Sequence, residues 1–552
     1  MKNILIAIRS IFKKGRHNVM KIVSLGIGLA VGLVLIAKVY FEQSYDDFYP
    51  DRDRVYQVWA KYQQNGGELK DYPQTSGGIA PTMQQQIPEI ETVTRYTSFG
   101  DWTFTMTDTK MKYSGRCIIA DSCFFDILPR PMLIGNAKEV LSTPMYVLIS
   151  SRIAKNIGGD VIGKNFTVDN SPGRTMTIGG VFEEVPENSH SRYDVIVSMA
   201  SAGRFMWEGS PTNMLGNDRY ISYVKLHKGV NPLALEEQVR TFVNSYFPPE
   251  EQQKVGLSID FSFHKLDNLH KELPQVKRMT WILSLLAFAL IFTAVMNYIL
   301  IVISSIVNRS KEVAVHKCYG ASENNIHGMM FGEALVHIVL SLILALLLIL
   351  AFRGTVEELL ATSLDSLLLS NGSLVLLGIC ILVFFVSGFM PGSLYARIPV
   401  ASAFRNYREN KRIWKKALLL VQFVATGFLV TMLVFVARQY TFMVNDRPGY
   451  AYENLAYCGL AGVDSTSRAK ILDEVMRLPG VAAATTVYQL PFEHASGNNI
   501  LLPGGTQELF NIADLYWVGN GYLDMMEIPV IQGRSFTENV TNSREVMVDR
   551  RF

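Results

Sequence analysis

The chain has 552 residues, of which 49% are hydrophobic and only 18% charged, against roughly 25% charged in soluble domains. With a mean hydropathy of +0.17, a wholly water-soluble protein is excluded. The net charge of +3 gives no sign of a nucleic-acid partner, and where the charges fall says more than their sum.

A helix needs roughly 20 mainly apolar residues to cross a bilayer core, and five stretches meet that length. Residues 1–21 precede the first. Ile4, Ala7, Ile8 and Ile11 share one helical face there, while Arg9, Lys13 and Lys14 reach toward lipid phosphates, as in a cytoplasmic interfacial helix. The first span, 22–41, runs into the acidic, aromatic FEQSYDDFYP with no small-residue cleavage site, and so reads as a retained anchor. Segment 42–278 reads as a mixed α/β domain. YVLIS (146–150), TMTIGGVF (175–182) and YDVIVSM (193–199) are strand-like runs, and 79–90 and 231–247 have helical spacing. The second span, 279–306, is followed by the basic segment 307–328, the third span (329–352), the outer loop 353–373 and the fourth span (374–395). The basic loop 396–416 and the fifth span (417–437) come next, and 438–552 begins a second outer domain.

Lys and Arg excess marks the cytoplasmic side. Lys2, Arg9, Lys13, Lys14, Arg16 and Lys21 precede the first span; Arg309, Lys311 and Lys317 follow the second; seven cations stand between the fourth and fifth. The expectation is a cytoplasmic N-terminus with both large segments outside.

The second outer segment repeats the first. IPEIETVTRY (87–96) matches LPGVAAATTV (478–487), the DSCFFDILPRPMLIGN run (121–136) matches NGYLDMMEIPVIQGRSF (520–536), and YVLISSRI (146–153) matches EVMVDRRF (545–552). The offsets are all roughly 391–399 residues, close to the separation of the first and fifth spans. Two full repeats would give a parent of about 790–800 residues with eight spans, so the chain is expected to be a fragment; a five-span product is the alternative.

Compact catalytic motifs are missing. There is no GxxxxGK[ST], GxSxG or HExxH. No Cys/His cluster has zinc-ligand spacing, and neither a catalytic residue nor a metal or cofactor site is expected on this chain. His190, beside Ser189 and near Asp194, invites a triad reading, but a polar turn between strands explains it better. Cys117 and Cys123 form the one pair near enough in sequence to bridge; Cys318, Cys380 and Cys458 have no mates. Within the spans, Glu333 reads as a charge eased by the helix N-terminus and the interface, with a specific transport role the lesser alternative; His337 is read with the same caution, and Asn297 and Gln422 as interhelical hydrogen-bonders. The spans show no paired acids or row of charges, which speaks against an ion-coupled carrier.

FYPDRDRVYQV (48–58), ADSCFFDIL (120–128) with LIGN (133–136), TIGGVFEEVPENSHSRYD (177–194) and NRSKEVAVHKCYGAS (308–322), with Gln422-Phe423 in the fifth span, occur in an order that resembles the MacB/FtsX-type ABC permeases. The likeness is greatest to the duplicated forms, which have MacB-like periplasmic core domains and FtsX-like transmembrane blocks. The resemblance implies an α-helical transmembrane permease with mixed α/β extracytoplasmic domains in a bacterial inner membrane, with ATP bound by a separate cytoplasmic ABC ATPase. It also implies pairing with itself or a related permease, contact with membrane lipid, and in some members a periplasmic adaptor and outer-membrane channel. Members export antimicrobials or peptides, extract lipoproteins, or regulate cell-wall hydrolases, and the resemblance does not choose among these.

It further implies that 308–322 is an ATPase-coupling segment. Arg309, Lys311, Glu312 and Lys317 would orient the docking, Val313 and Val315 would supply apolar contact, Gly320 would end the helix, and Ala321 and Ser322 would start the next, with Ser322 as N-cap. The same charges would serve equally as a positive-inside anchor; charge alone does not separate the two readings, and the resemblance favours docking.

Overall fold

The computed structural model describes residues 17–64, 67–168, 171–369, 372–396, 413–446, 449–460, 463–491, 496–502, 508–536 and 545–550. The chain forms two compact units, Met1–Gly427 and Phe428–Phe552. The expected helix over 1–16 lies outside the described residues.

The first unit holds an eleven-stranded sheet. Its strands are β1 (Val55–Gln64), β2 (Lys70–Tyr72), β3 (Ile90–Met106), β4 (Lys112–Ala120), β5 (Met132–Ile134), β6 (Tyr146–Ser150), β7 (Asn165–Val168), β8 (Ser171–Phe182), β9 (Val195–Ser198), β10 (Ile221–Leu226) and β11 (Leu257–Lys265). The order is β11-β1-β10-β3-β4-β9-β6-β8-β5, with β2 on β1 and β7 on β3 and β8. β4 with β9 and β6 with β8 are parallel; the other pairings are antiparallel. The β9 run Val195–Ser198 and the inner part of β6 are buried throughout, as strands covered on both faces are.

The long strand β3 carries the sheet between two lobes. In one, helices α2 (Ile79–Gln86) and α3 (Glu236–Tyr246) cover β1, β10 and β11 through Met83, Val239, Phe242 and Phe261. In the other, Phe104, Phe166, Ile178 and Val197 close a second core. Pro88 sits just past the end of α2, where it cannot continue the helix. Cys117 and Cys123 are free thiols; Cys117 lies in the sheet, while the Cys123 sulfur meets the Val93 carbonyl, so the suggested bridge does not form.

Among the described residues, five helices are long and apolar enough to cross a membrane. With the helices around them, the series is α1 (Asn18–Gln43), α4 (Pro274–Ser304), α5 (Ile306–Cys318), α6 (Glu323–Ala351), α7 (Arg353–Leu360), α8 (Leu364–Leu368), α9 (Ser373–Ala396) and α10 (Ile413–Asn445). α1, α4, α6 and α9 pack around Leu25, Leu29, Tyr298, Ile299, Ile338 and Tyr395. Close approach is set by small residues: a Cβ on Gly28 would overlap that of Ala294, and one on Gly32 would overlap Ile291. Glycine spaced by four lets α1 lie against α4 backbone to backbone, which compensates for the absence of a hydrophobic drive between helices in lipid.

In the second unit, α11 (Ser465–Met476) and α12 (Tyr522–Met525) accompany the hairpin β12 (Ser496–Leu501) and β13 (Glu508–Leu515). The repeat seen in sequence has structural counterparts. The bridge Val487↔Val518 stands where Tyr96↔Ala120 pairs in the first domain. A one-turn helix follows each, Phe124–Ile127 in one and Tyr522–Met525 in the other. Gly135 and Gly533 then both take the left-handed conformation, with φ +85 and +92.

Candidate functional site at the two membrane faces

The segment expected to couple to an ATPase is largely helical. α4 ends at Ser304, and after the single capping residue Ser305 α5 follows at once. Gly320 (φ +87) ends α5: its N–H donates to the Lys317 carbonyl and that of Ala321 to His316, each at 3.0 Å. This pairing is the Schellman motif, which only a residue tolerant of positive φ closes cheaply. Ser322 caps α6, its Oγ accepting from the Asn325 N–H. α5 and α6 are thus joined by four residues with both ends satisfied, a stiff corner rather than a loose loop.

The expected residues divide on this corner. Val313 is buried in the helical core with Ala314, so it anchors α5 to its own bundle and offers nothing outward, contrary to the expectation. Val315 is 43% exposed and Tyr319 89% exposed, one turn apart. Tyr319 was not read from the sequence; its place four residues after Val315 on a helix of basic character was the available signal. Lys311 is exposed, while Glu312 and Lys317 are partly buried and engaged with neighbours. The Arg309 side chain lies outside the described residues.

Beneath the corner, Lys21 Nζ and Glu333 form an ion pair at 3.5 Å, with side chains 1% and 7% exposed. This corrects two readings. α1 begins at Asn18, so Lys21 falls inside the helix rather than among flanking charges. α6 begins at Glu323, so Glu333 lies almost three turns in, beyond easy reach of the helix terminus. His337 bonds to Tyr298 across the bundle at 3.1 Å. Neither Asn297 nor Gln422 makes an interhelical side-chain hydrogen bond among the described residues, and the Gln422 amide nitrogen is buried without a partner.

At the other end of α1 a second buried charged group gathers, an ion pair rather than paired acids. Lys38 Nζ meets Glu42 at 2.6 Å and donates to Thr362 Oγ1 at 2.8 Å. His270, just before α4, meets the other Glu42 oxygen at 2.5 Å and stacks on Tyr45 with centroids 3.5 Å apart. Buried charges are costly unless paired and hydrogen-bonded, and here each is.

The NSHS stretch of the distinctive 177–194 motif closes on the exit of α1. Asn188 Nδ2 donates to the Ser44 carbonyl at 2.6 Å, and its own carbonyl accepts from the Asp46 N–H at 2.9 Å. Asp46 is left-handed (φ +58) with a fully buried carboxylate. It accepts from Ser189 Oγ at 2.8 Å and meets His190 Nδ1 at 2.5 Å. The other ring nitrogen of His190 bonds Tyr223 OH. Ser189, His190 and an aspartate do converge, but the aspartate is Asp46 and the serine donates to it directly. Asp194 is elsewhere, paired with Arg152 at 2.6 Å. The arrangement fastens a backbone: the serine hydroxyl bonds the carboxylate and the imidazole bonds a buried tyrosine, so no serine nucleophile sits on His190.

Arg130 completes this clasp, its guanidinium donating to the Ser191 carbonyl and lying 5.2 Å from the Phe182 ring. Burial pushes its pKa below the usual guanidinium value, partly offset by the surrounding tyrosines. Glu187 accepts from the Ser363 N–H at 3.0 Å, so one loop of the α/β domain holds both the end of α1 and the connection between α6 and α9. Among the described residues no group of three or more His, Cys, Asp or Glu is placed to hold a metal ion.

Two family models match in succession. The MacB-like periplasmic core domain matches residues 20–242, which include the clasp, and the FtsX-like permease C-terminal model matches 284–400, which include the corner. No curated protein matches the chain. Among solved structures, a domain of a putative permease protein from Porphyromonas gingivalis is 33% identical over 39% of this chain and 91% of its own, with a TM-score of 0.37. The periplasmic region of MacB from Actinobacillus actinomycetemcomitans is 16% identical over 37% and 87%, with a TM-score of 0.25. The extracellular domain of the noncanonic ABC-type transporter YknZ from Gram-positive bacteria is 11% identical over 37% and 98%, with a TM-score of 0.27. With the periplasmic core and the FtsX-like block in this order, the chain belongs to the MacB/FtsX-type ABC transporter permeases.

Proposed function

We propose that this chain is the permease half of an ABC transporter, passing motion from a separate cytoplasmic ATPase to its extracytoplasmic domain for export or extraction of a substrate. The supporting observation is the fastening of α1 at both ends: Lys21 to α6 on one face, Lys38 and the Asp46 clasp to the outer loop and the α/β domain on the other. The two lysines are separated by roughly 25 Å of helix at 1.5 Å per residue. A rod held at each end moves both ends when either is displaced. The corner at 305–322 presents Val315 and Tyr319 as apolar contacts for the ATPase, with Lys311 beside them. Arg309, Glu312 and Lys317 belong to the same docking surface in this reading. In this reading the corner and the N-terminus lie in the cytoplasm, as the Lys and Arg excess around them suggests, and the permease acts as a pair with itself or a relative.

The test is co-purification. The full chain, tagged at its N-terminus and solubilised in mild detergent, should bring down a P-loop ATPase in near-stoichiometric amount. Tyr319→Ala, and reversal of Glu312 and Lys317 together, should each remove it. An ATPase that stays bound to both variants would overturn the docking role. A co-purifying cell-wall hydrolase in place of an adaptor would assign the chain to regulation rather than transport.

A further inference from the structure

Where α1 leaves the membrane, a cleft of about 560 Å³ opens between three parts of the first unit, lined among others by Tyr45, Glu187, Arg192, His270, Glu357 and Thr362. Its depth relative to lipid is fixed by what surrounds it. Leu359 on α7 and Leu369 after α8 are 78% and 81% exposed, and Trp281 in the second turn of α4 is 78% exposed. Leucines bare to this extent on short helices beside a span suit the headgroup boundary, and an exposed Trp near a span terminus marks the same level. The loop that carries Leu359 and Leu369 also supplies Glu357 and Thr362 to the cleft, so the cleft opens among lipid headgroups.

Its charges are of both signs and only partly used. Lys38, Glu42 and His270 satisfy one another on the floor. Glu187 accepts through Oε2 alone, and Glu357 through Oε1 alone, from the Leu364 N–H at 2.8 Å and Arg353 at 2.9 Å. The Leu364 N–H first and Arg353 next hold the Glu357 carboxyl below its usual range, so it is ionised. Arg192 is exposed and makes no hydrogen bond or ion pair among the described residues. The cleft thus holds one free guanidinium and two carboxylates that each keep an unused oxygen, with the stacked Tyr45 and His270 also in its lining. A lone phosphate would meet the two acids unfavourably, and a lone amine would meet Arg192 unfavourably; a group carrying both charges satisfies all three.

We propose that this cleft holds the zwitterionic headgroup of an amine-bearing phospholipid of the adjoining leaflet, its phosphate on Arg192 and its ammonium on Glu187 and Glu357. The bound lipid sits against the clasp and the outer loop, so membrane composition acts on the joint directly. The site does not depend on ATPase docking.

The full chain, delipidated in detergent, would be given equimolar phosphatidylethanolamine and phosphatidylglycerol and examined by native mass spectrometry. One phosphatidylethanolamine should be retained, preferred about tenfold. Arg192→Glu and the milder Arg192→Gln, both at an exposed position, should abolish the preference with unchanged thermal unfolding. Soluble glycerophosphoethanolamine should displace the lipid; displacement by inorganic phosphate to the same degree would mark a simple anion site and overturn the zwitterion. Equal retention of the two lipids, or retention indifferent to Arg192, would overturn the site.

Discussion

The two ends of α1 are fastened by the same chemistry yet face opposite duties. At the outer end the clasp is held by hydrogen bonds within the protein: Asp46 takes Ser189 and His190, Asn188 takes Ser44, and Ser191 takes Tyr49 and Arg130, with only the buried Arg130 Nε left over among these side chains. At the other end Lys21 and Glu333 are buried, but on the following corner Tyr319 is almost wholly exposed and Val315 nearly half so. One face is closed on itself and the other leaves apolar surface unpartnered. A satisfied polar network resists motion, whereas exposed apolar anchors gain by meeting a partner. Residues that hold the helices together thus stand apart from residues whose apolar surface is left exposed.

The sharpest way to break that comparison is at the buried pair. Lys21→Met should cost about 3–5 kcal/mol, because Glu333 would remain charged in the bundle without that partner. Lys21→Met with Glu333→Leu should recover most of this, as removing both charges of a buried pair often does. Thermal unfolding in detergent checks both; a double variant as unstable as the single one would mean that the pair is not the unit. At the clasp, Asp46→Ala should cost about 3 kcal/mol, since it leaves Ser189 and His190 without their acceptor and puts alanine at a positive φ. Asp46→Asn, tolerant of that φ, should cost about half as much, and limited proteolysis near residues 41–50 should rise with both.

Tyr319→Ala should leave unfolding unchanged within about 0.5 kcal/mol while weakening ATPase binding by about 2 kcal/mol, as expected for a central aromatic anchor. A loss of stability in place of binding would move Tyr319 into the first class. The smallest effect concerns pH. Lys225 holds Asp51 below its ordinary value of 3.8, and Arg54 holds Glu91 below 4.5. Both carboxylates are depressed in the folded state, so their contribution is complete above these values and lost as pH falls through the lower folded ones. Both are partly exposed, so the loss should stay below about 1 kcal/mol each. Asp121 has the opposite sign: burial raises it despite Arg95, so protonation near its folded pKa relieves a strain. Unfolding of the outer domain between pH 3 and 7, with and without Arg54→Met, separates these contributions.

The sequence was read most successfully where local chemistry dominates. Gly320 and Ser322 mark the end of α5 and the start of α6 because a left-handed cap and an N-cap each depend on a few neighbouring residues. The failures share a cause. Lys21, Glu333 and Val313 were assigned from their neighbours along the chain, but their environments come from other helices. The hydropathy run of the third span starts at about residue 329, while α6 starts at Glu323, because an amphipathic first turn continues a helix without being apolar. Asp194 stands four residues after His190 in the chain, whereas the partner of His190 is Asp46, 144 positions away, which meets it only through the fold.

From sequence alone came the membrane class, the five spans, the α/β character of the outer domain and the internal repeat. These follow from hydrophobic periodicity and length, which burial in lipid or in a sheet imposes on every residue of an element. Only the tertiary structure decided which charges are pins, which face of α5 is free, and that the NSHS stretch is a clasp on Asp46. Those depend on single contacts between segments far apart in the chain, and no local period records them.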